Sequence, residues 1–323
     1  MEGGFPGFHS DFRGGAALPL RSEWADLLRE FPRLGRIVCV TRNEAGFHER
    51  RGSFEQVDFY DRIGVVLGEE IDLRLFMEQW RYGFAVAEHG ADAAAARRSF
   101  RFFDAHGLPI LTVGLLEQSN GSEYDSIVRR FMGREPAIGE LSPPVPPPEE
   151  WLESTPDAAT VAAFRQRWLE LEDTAYFGDL LKKFHLSREQ GLRLAPEGYA
   201  RQVDPTALFD VLEESVRRQL RIMIFMRSSG CLQIHTGAVR NLAAERRGGG
   251  GDGRVAIADG DFAFELGLEA IGSAWVVRKP TLDGDITSLE LFDRLGRNVA
   301  LFFGKRGRGQ TEDFRWRAIL GAC

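Results

Sequence analysis

Cysteine is scarce in this chain: three residues in 323, Cys39, Cys231 and Cys323, with no metal-ligand spacing. The odd, widely spaced set excludes a disulfide scaffold and a zinc ribbon, and indicates the reduced thiols of a cytosolic protein, Cys39 and Cys231 being small buried residues of strand-like blocks. No uninterrupted apolar run reaches the roughly 18 residues of a membrane span. The N-terminal stretch MEGGFPGFHSDFRGG has no basic region followed by an apolar core, so it is not a secretory signal; a flexible tail over residues 1–20 is expected. Positive charge is not in surplus either. A net charge of −7 and a pI of about 5.6 argue against a nucleic-acid binder. HExxH, CxxC, GxSxG and paired-acid arrangements are all absent, which removes metalloprotease, thiol-redox and hydrolase chemistry. Gly248 to Gly253 (GGGGDG) lacks the Lys-Ser/Thr of a phosphate-binding loop and reads as a flexible hairpin connection.

What is present is repetition. Arg98 to Gly107 reads RSFRFFDAHG and Thr287 to Gly296 reads TSLELFDRLG; in both, alternation runs into Phe-Asp and then a Gly turn, the pattern of a strand entering a hairpin. Ile37 to Glu49 (IVCVTRNEAGFHE) is echoed by Ile222 to Ile234 (IMIFMRSSGCLQI), a β-rich run, then Arg with small polar residues, then another strand. The offsets, 189 and 185, are nearly equal, so both echoes belong to one duplicated unit.

Ser142 to Glu150 (SPPVPPPEE) is a stiff polyproline-type spacer between the copies. It divides the chain into an N-terminal repeat over 21–141, a Pro-rich linker over 142–157 and a C-terminal repeat over 158–323. Helices are expected from a Ser22 cap to Phe31, from Tyr124 to Met132, from Thr160 to Glu172 with Phe164, Trp168 and Leu171 on one stripe, and from Tyr176 to Phe184. Further helices follow a Ser187 cap, run from Pro205 to Val216, and close the chain from Glu312 to Leu320. Strands fill Ile37–Gly114 and Arg221–Gly304. Strand-rich halves with grouped helices indicate an α+β fold rather than alternating β-α units.

The blocks SAWVVRKPT (273–281), TSLELFD (287–293), GCLQIHTG (230–237), TRNE (41–44) and GEEIDLRLF (68–76) stand in an order that resembles the bacterial cytoplasmic haem-trafficking and haem-degrading family, the HemS/ChuS/HmuS-like hemin-degrading factors, over residues 22 to 322. The resemblance implies two tandem similar halves, each a large antiparallel sheet with helices, the sheets stacked centrally. It implies haem in a cleft between the C-terminal sheet and the helices after the linker, and a haem oxygenase or a haem-uptake transporter as partner.

A haem site needs an apolar cleft for the ring, cations for two propionates and an axial ligand for iron. Alternation in DLRLF puts Arg74 and Phe76 on one sheet face and Leu73 and Leu75 on the other. By resemblance, Arg74 is the distal arginine and Phe76 a ring against the porphyrin. Arg188 of LSREQ reaches a propionate, and Lys279 of RKPT and Arg306 of GKR are further basic contacts. Phe303 stands where the family often has Tyr. Basic residues also gather at Arg240, Arg246, Arg247, Arg254, Arg278, Lys305 and Arg308, either as solvated surface charge or as a face for a small anion.

The iron ligand departs from the pattern. Set on the chain from Asp173, the family's helix motif D-x-H-x-F-F-x-x-L-L-K puts Ala175 at the His position. Tyr176, adjacent but rotated about 100° on a helix, is the nearest alternative ligand, and His185 a second. Binding from the distal side alone, or of another flat anion, is the remaining option. His235 in QIHTG and His48 in GFHER read as sheet residues. Three functions follow: a cytoplasmic haem carrier, with oxidative haem breakdown as a subsidiary activity; a divergent non-haem member acting as an interaction or regulatory protein; and a binder of another tetrapyrrole.

Overall fold

Both Phe-Asp echoes end strands as their pattern predicts. The Asp104 carboxylate accepts the backbone N–H of His106 and of Leu108, and Asp293 does the same for Leu295 and Arg297. Gly107 and Gly296 turn the chain at φ 76° and 74°, a left-handed conformation that costs glycine little. The structure, a computed structural model, describes residues 15–89, 96–133, 155–246, 253–307 and 309–323.

The first half supplies β1 (Gly15–Pro19), β2 (Ile37–Asn43), β3 (Gly46–Gly52), β4 (Gln56–Tyr60), β5 (Ile63–Leu67), β6 (Asp72–Phe76), β7 (Tyr82–His89), β8 (Ala96–Phe103) and β9 (Pro109–Leu115). The second supplies β10 (Ala200–Val203), β11 (Arg221–Arg227), β12 (Cys231–Ala238), β13 (Leu242–Arg246), β14 (Gly253–Asp259), β15 (Phe262–Gly267), β16 (Ile271–Lys279), β17 (Ile286–Asp293) and β18 (Asn298–Gly304). They form two nine-stranded sheets, ordered β1-β7-β8-β9-β2-β3-β15-β14-β13 and β10-β16-β17-β18-β11-β12-β6-β5-β4. All the ladders within these sheets are antiparallel.

The two orders are the same order written twice, so the α+β architecture of two similar halves holds. The halves are not side by side, however. Each gives a three-stranded meander, β4–β6 or β13–β15, to the other's sheet, through the β12–β6 and β3–β15 ladders. A boundary at residue 141 or 158 therefore divides the chain but not the sheets. Gly46 allows one of these crossings: a Cβ there would collide with the Glu265 carbonyl.

The inner faces of the sheets bury two cores. One joins Ile37, Cys39, Phe100 and Val113 of the first sheet to Leu73, Leu75 and Cys231 of the second, closed by helices α1 (Trp24–Arg29) and α2 (Gly121–Phe131). The other joins Val255, Phe264 and Leu266 to Ile222, Ile224, Leu289 and Phe302, closed by α6 (Ala207–Arg217) and α7 (Phe314–Ala322). Between the sheets Thr41 Oγ1 donates to Cys231 Sγ at 3.6 Å, and Gln233 Nε2 to the Cys39 carbonyl at 3.3 Å. Burial raises both thiols, that of Cys231 to about 12. His48 and His235 meet Phe262 in the same seam, His235 stacked flat on its ring at 3.6 Å. Neither imidazole has a well-aligned hydrogen-bond partner.

Several local expectations shift. Gly15–Pro19, read as tail, pairs with β7 as an edge strand, because its N–H and C=O groups find a free ladder there; residues 1–14 lie outside the described residues. Ser22 is not a cap, since Glu23 precedes α1 without a side-chain bond. Asn120 starts α2 three residues ahead of Tyr124 by accepting the Glu123 N–H. Residues 142–154 of the linker and 248–252 of the Gly run lie outside the described residues, and β13 and β14 pair up to Arg246 and Gly253 on either side of that run.

Candidate functional site

Three helices form a wall on the outer face of the second sheet. In α3 (Ala158–Leu169), capped by the Asp157 carboxylate on the Thr160 N–H at 2.7 Å, Phe164 and Trp168 stand one turn apart and are fully buried. Thr174–Tyr176 is a 3-10 turn, and α4 (Phe177–Lys183) begins only at Phe177, because the Asp173 carboxylate takes the Ala175 N–H. Ser187 caps α5 (Arg188–Arg193) as its position predicts. Phe164, Trp168, Phe177, Leu180 and Leu192 pack on Trp275, Val277 and Phe292 of the sheet.

Beyond this wall the same sheet face continues. Ladder register places Trp275, Glu290, Leu301, Phe225, Ile234 and Asp72 in one row across six strands. The rows on either side hold Val277, Ser288, Phe303, Met223 and Thr236, and Arg227, Leu232, Arg74 and Val65. Met223, Phe225, Leu232, Phe303 and Phe76 are all half-buried. They form an apolar floor that the wall does not cover. Four strand spacings separate Glu290 from Asp72, about 19 Å.

Where wall meets floor sits Glu290, fully buried. It takes Arg188 in a two-pronged pair, Nε–Oε2 2.7 Å and Nη2–Oε1 3.0 Å, and Lys279 Nζ at 2.5 Å, with Ser288 Oγ donating at 2.9 Å. Phe177 lies beneath both cations, 5.0 Å from the Arg188 guanidinium and 4.8 Å from the Lys279 ammonium. Burial alone would raise the carboxyl, but two adjacent cations outweigh it and hold Glu290 ionised well below its ordinary range. Lys279 goes the other way. Its burial exceeds the attraction of Glu290, with Arg188 opposing further, and lowers it to about 8.

The expected site residues are thus partly assembled. Arg74 and Phe76 share the outer face and Leu73 and Leu75 the inner one, as alternation requires; Arg74 contacts the Asp72 carboxylate. Phe303 lies on the floor, edge-on to Phe225 at 5.0 Å. Arg188 belongs to both wall and floor. Lys279, expected as a direct ligand contact, is 2% exposed and faces Glu290, so it supports Arg188 from behind instead. Arg306 pairs with Asp283 of the β16–β17 turn at 3.3 Å. Ala175 is exposed and Tyr176 is 57% exposed on the 3-10 turn. His185, exposed, ends α4 at the opposite end with φ 53°. Among the described residues there is no cluster of three or more His, Cys, Asp or Glu able to hold a metal ion.

Sequence reasoning missed Phe225, Met223, Glu290 and Arg227. Arg227 stood in the open as the Arg of the second echo, and Glu290 as the polar position of SLELF. Of the gathered basic residues, Arg246 pairs with Asp210 and Glu213, Arg254 with Glu265, and Arg278 with Asp285, while Arg247 and Arg308 lie outside the described residues.

The haemin-degrading HemS.ChuX domain model matches residues 9–131 and 185–323. The hemin transport protein HmuS of Yersinia pestis is 33% identical over 308 residues, 94% of this chain and 85% of the relative. The crystal structure of apo-PhuS, a heme-binding protein from Pseudomonas aeruginosa, superposes with a TM-score of 0.81 at 34% identity, covering 95% of this chain and 86% of that one. That of ChuS, an E. coli heme oxygenase, gives 0.82 at 31%, covering 95% and 88%. No described helix is long and apolar enough to cross a membrane.

Proposed function

The chain belongs to the haemin-degrading HemS.ChuX family, and on that premise we propose that it binds haem in the cleft between the α3–α5 wall and the outer face of the second sheet, as a carrier in the cytoplasm. The half-buried apolar floor of Met223, Phe225, Leu232, Phe303 and Phe76 carries this reading, since a soluble sheet face leaves such a strip open where a flat apolar ligand lies. Arg188, whose Nε and Nη2 are engaged by Glu290, offers its remaining guanidinium N–H groups to one propionate, and Lys279 fixes Glu290 from behind. Arg74 stands across the floor on the distal side, and Arg306 at the end of β18 adds charge at the rim.

Bound haem would itself supply the redox chemistry of any oxidative breakdown. The chain's part is to hold the ring against the floor, keep water from its face and fix its carboxylates. Delivery by a haem-uptake transporter, or transfer to a haem oxygenase, fits a carrier. Tyr176, exposed on the 3-10 turn, is the proposed iron ligand from the wall side. A second reading, a tetrapyrrole held without an iron ligand, is favoured by the exposed Ala175 at the family's His position.

A haemin titration followed by absorbance tests the proposal. One equivalent should sharpen the Soret band; an unchanged free-haemin spectrum would sink it and leave an interaction protein. Tyr176→Phe keeps the ring and should abolish a phenolate charge-transfer band, whereas an unaltered spectrum returns Tyr176 to the surface. Ala175→His should tighten binding and give a nitrogen-ligated spectrum; no gain would mean that the wall no longer faces the iron.

A further inference from the structure

Arg227 has no assigned role, and its surroundings differ from those of every other cation in the cleft. Arg188 and Lys279 face Glu290, Arg74 faces Asp72 and Arg306 faces Asp283. The Arg227 side chain has no carboxylate partner among the described residues; its guanidinium lies over the Phe76 ring, 4.9 Å from the centroid. Its backbone is fixed, because β11 ends there and Asn43 Nδ2 donates to its carbonyl at 2.8 Å. Register puts it opposite Leu232, which is opposite Arg74, so it projects from the floor itself.

The side chain reaches solvent and is nevertheless hemmed in by protein atoms, which is the condition of a group standing in a cleft. Those walls, and Arg188 nearby, lower it to about 10, so it stays charged at neutral pH. The charges then count simply. Glu290 offsets one of the two cations against it, and Arg227 restores the excess to two.

We propose that Arg227 is a ligand-recognition residue: stacked on Phe76, it takes one carboxylate of a flat dianion whose other carboxylate meets Arg188. This rests on the haem reading and sharpens it, because recognition by two carboxylates does not need the metal. The ligand class is a dicarboxylate porphyrin, with or without iron.

The test uses the full chain, haemin, metal-free protoporphyrin and its uncharged dimethyl ester. Arg227→Gln should weaken binding of haemin and of the metal-free diacid by about ten- to a hundredfold, the worth of one charge-assisted hydrogen-bonded contact. It should leave the ester unaffected, and Arg227→Lys should recover part of the loss. Equal haemin affinity in parent and Arg227→Gln, or an equal loss for the ester, would overturn the inference while the haem reading stands. A parent that binds none of the three porphyrins would overturn both.

Discussion

Replacing Glu290 with Gln asks how the cleft tolerates an unpaired buried cation. Removing one partner of a buried pair costs about 3–5 kcal/mol. Lys279 sets a ceiling on that cost, because at 2% exposure it can escape by losing its proton. With the parent's Lys279 already lowered to about 8, that escape adds at pH 7 only about 1.4 kcal/mol to the variant's deficit, the worth of one pH unit. In the parent Lys279 already lies near 8, and in the variant it lies lower still. A folded pKa below the unfolded one means that the unfolded chain binds more protons in between, so stability rises with pH across that window. Above pH 8 Lys279 is neutral in both proteins and contributes equally. Below it only the parent's is charged, so the variant's deficit should widen by about 1.4 kcal/mol for each pH unit of acidification. Urea unfolding at pH 9 and pH 6.5 reads this directly. Combining Lys279→Met with Glu290→Leu should recover most of the loss, since apolar replacement of a buried pair is often neutral or stabilising. A deficit identical at both pH values, or a double variant no better than the single, refutes the reasoning.

Acid should weaken the seam between the sheets: His235 is 6% exposed and depressed from 6.5 to about 4, chiefly by burial, so the unfolded state takes the proton first. Stability should fall between pH 6.5 and 4 by up to about 3 kcal/mol, and less in His235→Leu; equal falls would remove His235 from the account. Trp80 Nε1 donates to the Gly230 carbonyl at 2.9 Å, but the Phe76 N–H also donates there at 2.9 Å. Trp80→Phe should therefore cost only about 1 kcal/mol by denaturant unfolding, and a loss several times larger would show that the indole does more than bond. Gly46→Ala, by forcing β3 from the Glu265 backbone, should cost more than about 3 kcal/mol, against near-neutrality if the crossing ladder is dispensable. Residues 155–323 expressed alone lack β4–β6 and should aggregate; a monomer with native-like circular dichroism would refute the exchanged arrangement.

Local chemistry was legible in the sequence wherever it is local. The Asp104 and Asp293 turns, the Ser187 cap, the Phe164–Trp168 stripe and the facing of Arg74 and Phe76 each depend on residues within one turn or one strand. The exchange of meanders was not legible, because β3 and β12 carry nothing in their own pattern that names β15 and β6 as neighbours. Glu290 shows the same limit at the site. SLELF puts it on a polar face, but only Arg188 of α5, 102 residues earlier in the chain, makes that face an interior. Lys279 was misjudged for the same reason: alternation gives a side, not what covers it.

The shared strands also bear on ancestry. Two identical copies trading meanders would make a symmetric dimer, in which every change occurs twice. Joined in one chain, the copies are released from that duplication. The 189-residue offset sets Glu290 against Arg101, which pairs with Glu88 at 2.7 Å, so the polarity of the ion pair is reversed between copies. One half can therefore specialise its outer face for a ligand while the other keeps the shared frame, a division of labour that a homodimer of this fold could not hold.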